Sequence, residues 1–176
     1  SAASDVYKRQ LGMFVLDRRG VRRVRRARHL LDGPMTNADE AALLFVNEAF
    51  YLAFQTHDMR AMDALWSDHY PVQCIHPGWP PLFGREAVME SWLRILSNRA
   101  APTVTFSHPV ASPLGEFGLV TCYERVADNS LVATNMFHRS GREWRIIHHQ
   151  SSPAPEPDER EAPRAPRQRW VLSRAR

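Results

Sequence analysis

Apolar residues in "TNADEAALLFVNEAFYLAFQTHD" recur at Leu43, Val46, Ala49, Phe50, Ala53 and Phe54, which is a helical period. Thr36 or Asn37 offers an N-cap, and acidic residues in the first turn suit the positive end of a helix. "HDMRAMDALWSDHY" then sets Met59, Met62, Leu65 and Trp66 on one side, with Asp58 as a cap, so a second, short helix is predicted. "VQCIHP" alternates and breaks at Pro77-Gly78, which reads as a strand entering a turn. "GWPPLFG" reads as a rigid loop. "REAVMESWLRILSN" keeps Val88, Trp92, Ile95 and Leu96 at helical spacing. Four strand-like runs follow, "TVTFSHPV", "EFGLVTCYERVA", "NSLVATNMFHRSG" and "EWRIIHHQSS", with hairpin turns at "ADNS" and "RSGR". The order α-α-β-α-β-β-β-β predicts an α+β domain, with helices segregated from an antiparallel sheet. Consecutive hairpins should curl that sheet around the helices and leave a hollow at one end.

Charge changes the picture at the ends. Residues 1–34 hold nine basic and three acidic residues, residues 35–155 eight and twelve, and residues 156–176 six and four. The basicity therefore belongs to the termini, and the mildly acidic centre argues against a nucleic-acid partner. Residues 1–34 are expected to be a disordered arm or translation unrelated to the fold, residues 35–155 the folded domain, and residues 156–176 a disordered Pro/Arg-rich tail. No apolar run approaches the ~18 residues of a membrane helix, and "GMFVL" is too short for the apolar part of a secretory leader. Cys74 and Cys122 lie in apolar runs without CxxC spacing, so buried free thiols and a cytoplasmic location are expected.

Candidate chemistry concentrates in "RIIHHQSSP". Adjacent strand residues face opposite sides, so His148 and His149 cannot share one role. His148 shares parity with Trp144, Ile146 and Gln150, which places it on the concave side as a candidate general base. His149 then faces outward, toward solvent or a second subunit; a one-residue slip in register would exchange the two. His76 precedes the Pro-Gly turn, where it can meet a ligand or orient the loop, and Trp79 in "GWPP" is a pocket wall or lid. Glu124 alternates with Val120, Cys122 and Val126; buried there, it needs a partner or a raised pKa. Asn135 can donate to a ligand carbonyl or satisfy a backbone group. No metal site is expected, because His76, His148 and Glu124 come from separate elements without HxH or HxxxH spacing. GxGxxG, Walker and GxSxG signatures are absent, and no cofactor is expected.

The element order together with "CIHPGWPPLFGREAVMESW", "ATNMF" and "WRIIHHQSSP" resembles the nuclear transport factor 2-like superfamily, and within it the bacterial SnoaL-like branch, close to ketosteroid isomerase. The resemblance covers roughly residues 37–153. It implies a cone-shaped curved sheet packed around N-terminal helices. It also implies a pocket lined by the early helices, the loop after the first strand and the inner faces of the last strands. On this sequence those places nominate Trp66, His76, Trp79, Tyr123 or Glu124, Asn135, Phe137, and His148 or His149. The implied ligand is a hydrophobic, oxygenated small molecule. The implied activity is cofactor-free isomerase, dehydratase or cyclase chemistry, and the alternative is a non-catalytic binding or dimerisation module. A homodimer through the sheet is expected on the same grounds.

Overall fold

The computed structural model describes residues 37–157, and expectations placed on residues 1–34 and on the tail from 158 onward lie outside the described residues. Helix α1 spans Asn37–Gln55, with Asp39 and Glu40 in its first turn. It buries Leu43, Asn47, Phe50, Tyr51 and Ala53 along one stripe. His57 then takes φ +55°, and its Nδ1 donates to the Leu96 carbonyl at 2.7 Å. Helix α2 covers Met59–Leu65, and Asp58 caps it as expected by accepting from the Ala61 amide at 2.9 Å.

Strand β1 (Gln73–Ile75) leads through the turn to β2 (Leu82–Phe83) and helix α3 (Arg85–Ser97). The Trp79 amide donates to the His76 carbonyl at 3.0 Å, with Gly78 at φ +77°. A proline second and a glycine third in that turn fit its backbone, because only glycine reaches positive φ without strain. Four long strands follow: β3 (Val104–Leu114), β4 (Phe117–Val126), β5 (Asn129–Ser140) and β6 (Glu143–Pro153).

The strands form one curved, unclosed sheet in the order β2-β1-β6-β5-β4-β3. The α+β cone is as expected, with one difference in pairing. β1 lies parallel to β6, so the sheet is mixed rather than wholly antiparallel. The two-residue β2, inside what reads as a rigid loop, pairs antiparallel with β1. Parallel pairing requires a long connection, and β2, α3, β3, β4 and β5 lie between β1 and β6. Helix α1 presses onto the sheet closely enough that a Cβ at Gly118 would sit 2.6 Å from Leu43 Cδ1. Strand registers shift in β3–β4 between Ser107 and Val110, and in β5–β6 between Met136 and Phe137. Such bulges bend strands and re-aim side chains. Among the described residues no helix is long and apolar enough to cross a membrane.

Candidate functional site

The bulge in β6 decides which histidine looks inward. Met136 pairs with His148, but Phe137 pairs with Ile146, which leaves Ile147 as the extra residue. Before the bulge Trp144 and Ile146 are buried; after it, His149 and Ser151 are. The strict alternation that put His148 inward is therefore corrected. His149 is 3% exposed, while His148 is half-buried on the other face, beside Met136.

His149 is held by a chain of polar groups. Its Nδ1 lies 2.6 Å from Asn135 Oδ1, and Asn135 Nδ2 donates to Asn47 Oδ1 at 2.8 Å. With its amide donating to Asn47, Asn135 presents its oxygen to His149. The imidazole thus carries its proton on Nδ1, and Nε2 is a bare acceptor. His76 takes the opposite tautomer. Its Nε2 lies 2.9 Å from Ser91 Oγ, and that hydroxyl donates to the Val88 carbonyl at 2.7 Å. Ser91 therefore accepts from His76 Nε2–H, and Nδ1 is left as the acceptor. The two rings stand 6.4 Å apart, both against Trp92, at 4.8 Å from His76 and 5.9 Å from His149.

Glu124 is the buried carboxyl of the site, 6% exposed. Tyr51 donates to its Oε1 at 2.7 Å, and Ser151 donates to Oε2. Burial raises its pKa, while the hydrogen bonds from Ser151 and Tyr51 oppose the rise. Burial also lowers His76 to about 4, aided by His149 and Arg94, and lowers His149 to about 3, aided by His148. Both imidazoles are thus neutral near pH 7 and are weak bases. The carboxyl is the group whose titration is displaced toward neutral pH.

These groups border a cavity of about 760 Å³. Its walls come from Phe50 and Phe54 of α1, Trp92, Arg94 and Ile95 of α3 with its C-cap Asn98, and the His76–Trp79 turn. The sheet contributes Glu124, Leu131 and His149 among its other wall residues. Trp79 stands at the mouth, 37% exposed, 5.0 Å from the His76 ring and 5.1 Å from the Arg94 guanidinium carbon. A broader depression of about 1150 Å³, between α1, α2 and the β5–β6 turn, contains none of the buried histidines and not Glu124.

Of the residues nominated by sequence, His76, Trp79, Glu124 and His149 meet at the cavity. Asn135 sits behind His149 and orients it rather than reaching the opening. Trp66 and Phe137 are corrected from ligand wall to core: both are buried, neither lines the cavity, and Trp66 packs 6.5 Å from Trp92. Tyr123 lies on the opposite face of β4 from Glu124, with its ring 6.1 Å from that of His108. Asn47, Tyr51, Ser91 and Ser151 were not anticipated. A polar residue inside an otherwise apolar helical stripe, as Asn47 is, was the available signal.

A family description for the SnoaL-like domain matches residues 44–156. The F-box protein SKIP8 of Arabidopsis thaliana is 28% identical over 118 residues, which cover 65% of this chain and 51% of that protein. The chain thus spans about half the length of the curated relative it matches. A provisionally named dehydratase of the NTF2-like family from Streptomyces avermitilis is 30% identical, with a TM-score of 0.61 over 68% of this chain and 99% of that one. A provisionally named calcium/calmodulin-dependent protein kinase type II association domain from Thiobacillus denitrificans is 28% identical, with a TM-score of 0.53 over 62% and 93%.

Proposed function

The chain belongs to the SnoaL-like domain family of the nuclear transport factor 2-like superfamily, and from that premise we propose that it binds a hydrophobic, oxygenated small molecule and moves a proton on it without a cofactor. One observation carries this reading. Two neutral imidazoles of fixed tautomer and one carboxyl of raised pKa border the same largely apolar cavity. Glu124 is the acid–base group in this reading, because its pKa moves toward neutrality and the histidines' move away. His149 Nε2 and His76 Nδ1 accept hydrogen bonds from ligand hydroxyls and so orient it. Trp92, Phe50 and Trp79 supply the apolar contact. Cys74 and Cys122 are no competitors as nucleophiles, since burial pushes both thiols up to about 12. Two buried free thiols also fit a reducing, cytoplasmic setting.

Isomerisation, dehydration and cyclisation of this kind share one step, removal of a proton from carbon beside a carbonyl. The test is deuterium exchange at the α-carbons of 2-tetralone in D₂O, followed by NMR with the wild type and Glu124→Gln. Saturable exchange that Glu124→Gln abolishes while retaining binding is the expected result. Exchange that survives the substitution removes Glu124 from its role.

A second reading is a binding or homodimerisation module without chemistry. Its support is the likeness to an association domain, and the outer sheet face, where Leu119, Met136 and His148 form a half-buried cross-strand row. Binding of 2-tetralone with no exchange above background selects this reading.

A further inference from the structure

Arg94 is the charge at the cavity that the proposed chemistry does not use. It lies in the last turn of α3, one turn before Asn98, and both residues border the opening. A basic residue there is favoured by the helix dipole alone, but that needs only solvent around the guanidinium. Here the guanidinium is instead folded over the Trp79 ring, 5.1 Å from its centroid, which holds a flexible side chain at the mouth. Arg85, Arg125, Arg139 and Arg145 each meet a carboxylate, at Asp63, Glu156, Asp39 and Glu143 respectively. Among the described residues Arg94 meets none, as is also true of Arg60, Arg99 and Arg142, but of these four Arg94 alone borders this cavity. The carboxyl inside the cavity does not serve it, because Glu124 is engaged by Tyr51 and Ser151. A planar cation held beside an apolar cavity, with its own fork of donors free, is complementary to a carboxylate.

We propose that the ligand is an amphipathic carboxylic acid, its anionic end received by Arg94 against Trp79 at the mouth and its oxygenated apolar body lying inward toward Trp92, His76 and His149. The inference rests on the small-molecule reading above and narrows it from oxygenated hydrophobes to acids. It makes Arg94 a specificity residue and gives it no part in proton transfer. Long-range attraction to an anion would also make binding sensitive to salt, since the mouth is open to solvent.

The experiment compares 6-hydroxy-2-naphthoate with its primary amide, equal in shape and differing in charge, by isothermal titration calorimetry on the full chain. Wild type, Arg94→Gln and Arg94→Lys are measured at low and high salt. Arg94 is exposed, so neither substitution disturbs the core. The wild type should prefer the acid by about tenfold or more, Arg94→Lys should keep part of that preference, and Arg94→Gln should erase it by weakening the acid far more than the amide. Equal binding of acid and amide by the wild type overturns the inference and leaves the small-molecule reading standing. So does an acid preference that survives Arg94→Gln. Failure of both compounds to bind overturns the inference together with the reading beneath it.

Discussion

His149 donates its Nδ1–H to Asn135 Oδ1 across 2.6 Å, and Asn135 in turn donates to Asn47 Oδ1 across 2.8 Å. All three side chains are buried, so removing the middle one strands the other two. Asn135→Leu should destabilise the fold by ~1–3 kcal/mol, the cost of leaving buried polar groups unpaired, as read by chemical denaturation. Asn135→Asp places a negative charge beside Nδ1 and should raise the pKa of His149 instead, visible as a ring titration at higher pH than in the wild type. Unchanged stability in the first variant and an unchanged titration in the second would contradict the relay.

Acid should destabilise the protein through its two buried imidazoles. Their folded pKa values, about 4 for His76 and about 3 for His149, lie below the ordinary 6.5. Between those limits the unfolded chain binds more protons, so stability is full above pH 6.5 and falls as pH drops. From pH 6.5 to 4.5 the pair should cost about 4 kcal/mol, short of the full ~1.4 kcal/mol per unit for each group because the unfolded imidazoles are already half protonated where the window opens. The double variant His76→Gln/His149→Gln should show a shallower acid limb in thermal denaturation across that window.

Glu124 acts with the opposite sign. Its folded pKa is raised above the ordinary 4.5, chiefly by burial. The native state therefore keeps a proton that the unfolded chain has released, and stability falls as pH rises through that interval. Glu124→Gln removes this loss, so the stability difference between variant and wild type should shift in the variant's favour as pH rises above about 4.5. Parallel pH profiles for the two proteins would mean that the carboxyl is not perturbed in the fold.

The bulge offers a separate check. With Ile147 deleted, β6 alternates without interruption, and Trp144, Ile146, His149 and Ser151 all keep their inward parity. The deletion variant should therefore fold, at a cost below ~3 kcal/mol, and should retain a neutral, buried His149. A His149 that titrates like a solvent-exposed ring in this variant would show that the extra residue does more than bend the strand.

Much of this architecture was legible in the sequence. Leu43, Phe50 and Phe54 set the period of α1, Asp58 announced the second helix, and Pro77-Gly78 announced the turn. These are local signals, carried by spacing and backbone preference. The orientation of the tandem histidines was not legible, because it depends on pairing. Ile146-Ile147 and His148-His149 are two doublets that interrupt alternation, and only the register against Met136 and Phe137 shows where the extra residue falls. Glu124 could be suspected from its apolar neighbours on one strand face. Its partners, Tyr51 and Ser151, come from α1 and β6, at sequence separations no local pattern reports. Trp66 and Phe137 read as pocket residues because apolar core and apolar wall have the same composition.

The measurement closest to the centre of this account is a histidine ring titration by NMR on the folded protein. His149 and His76 should remain neutral below pH 5, His149 as the Nδ1–H tautomer and His76 as the Nε2–H tautomer, while His148 titrates at higher pH than either. A His149 that protonates near its ordinary value while His148 stays neutral would mean that the strand presents the other imidazole to the cavity.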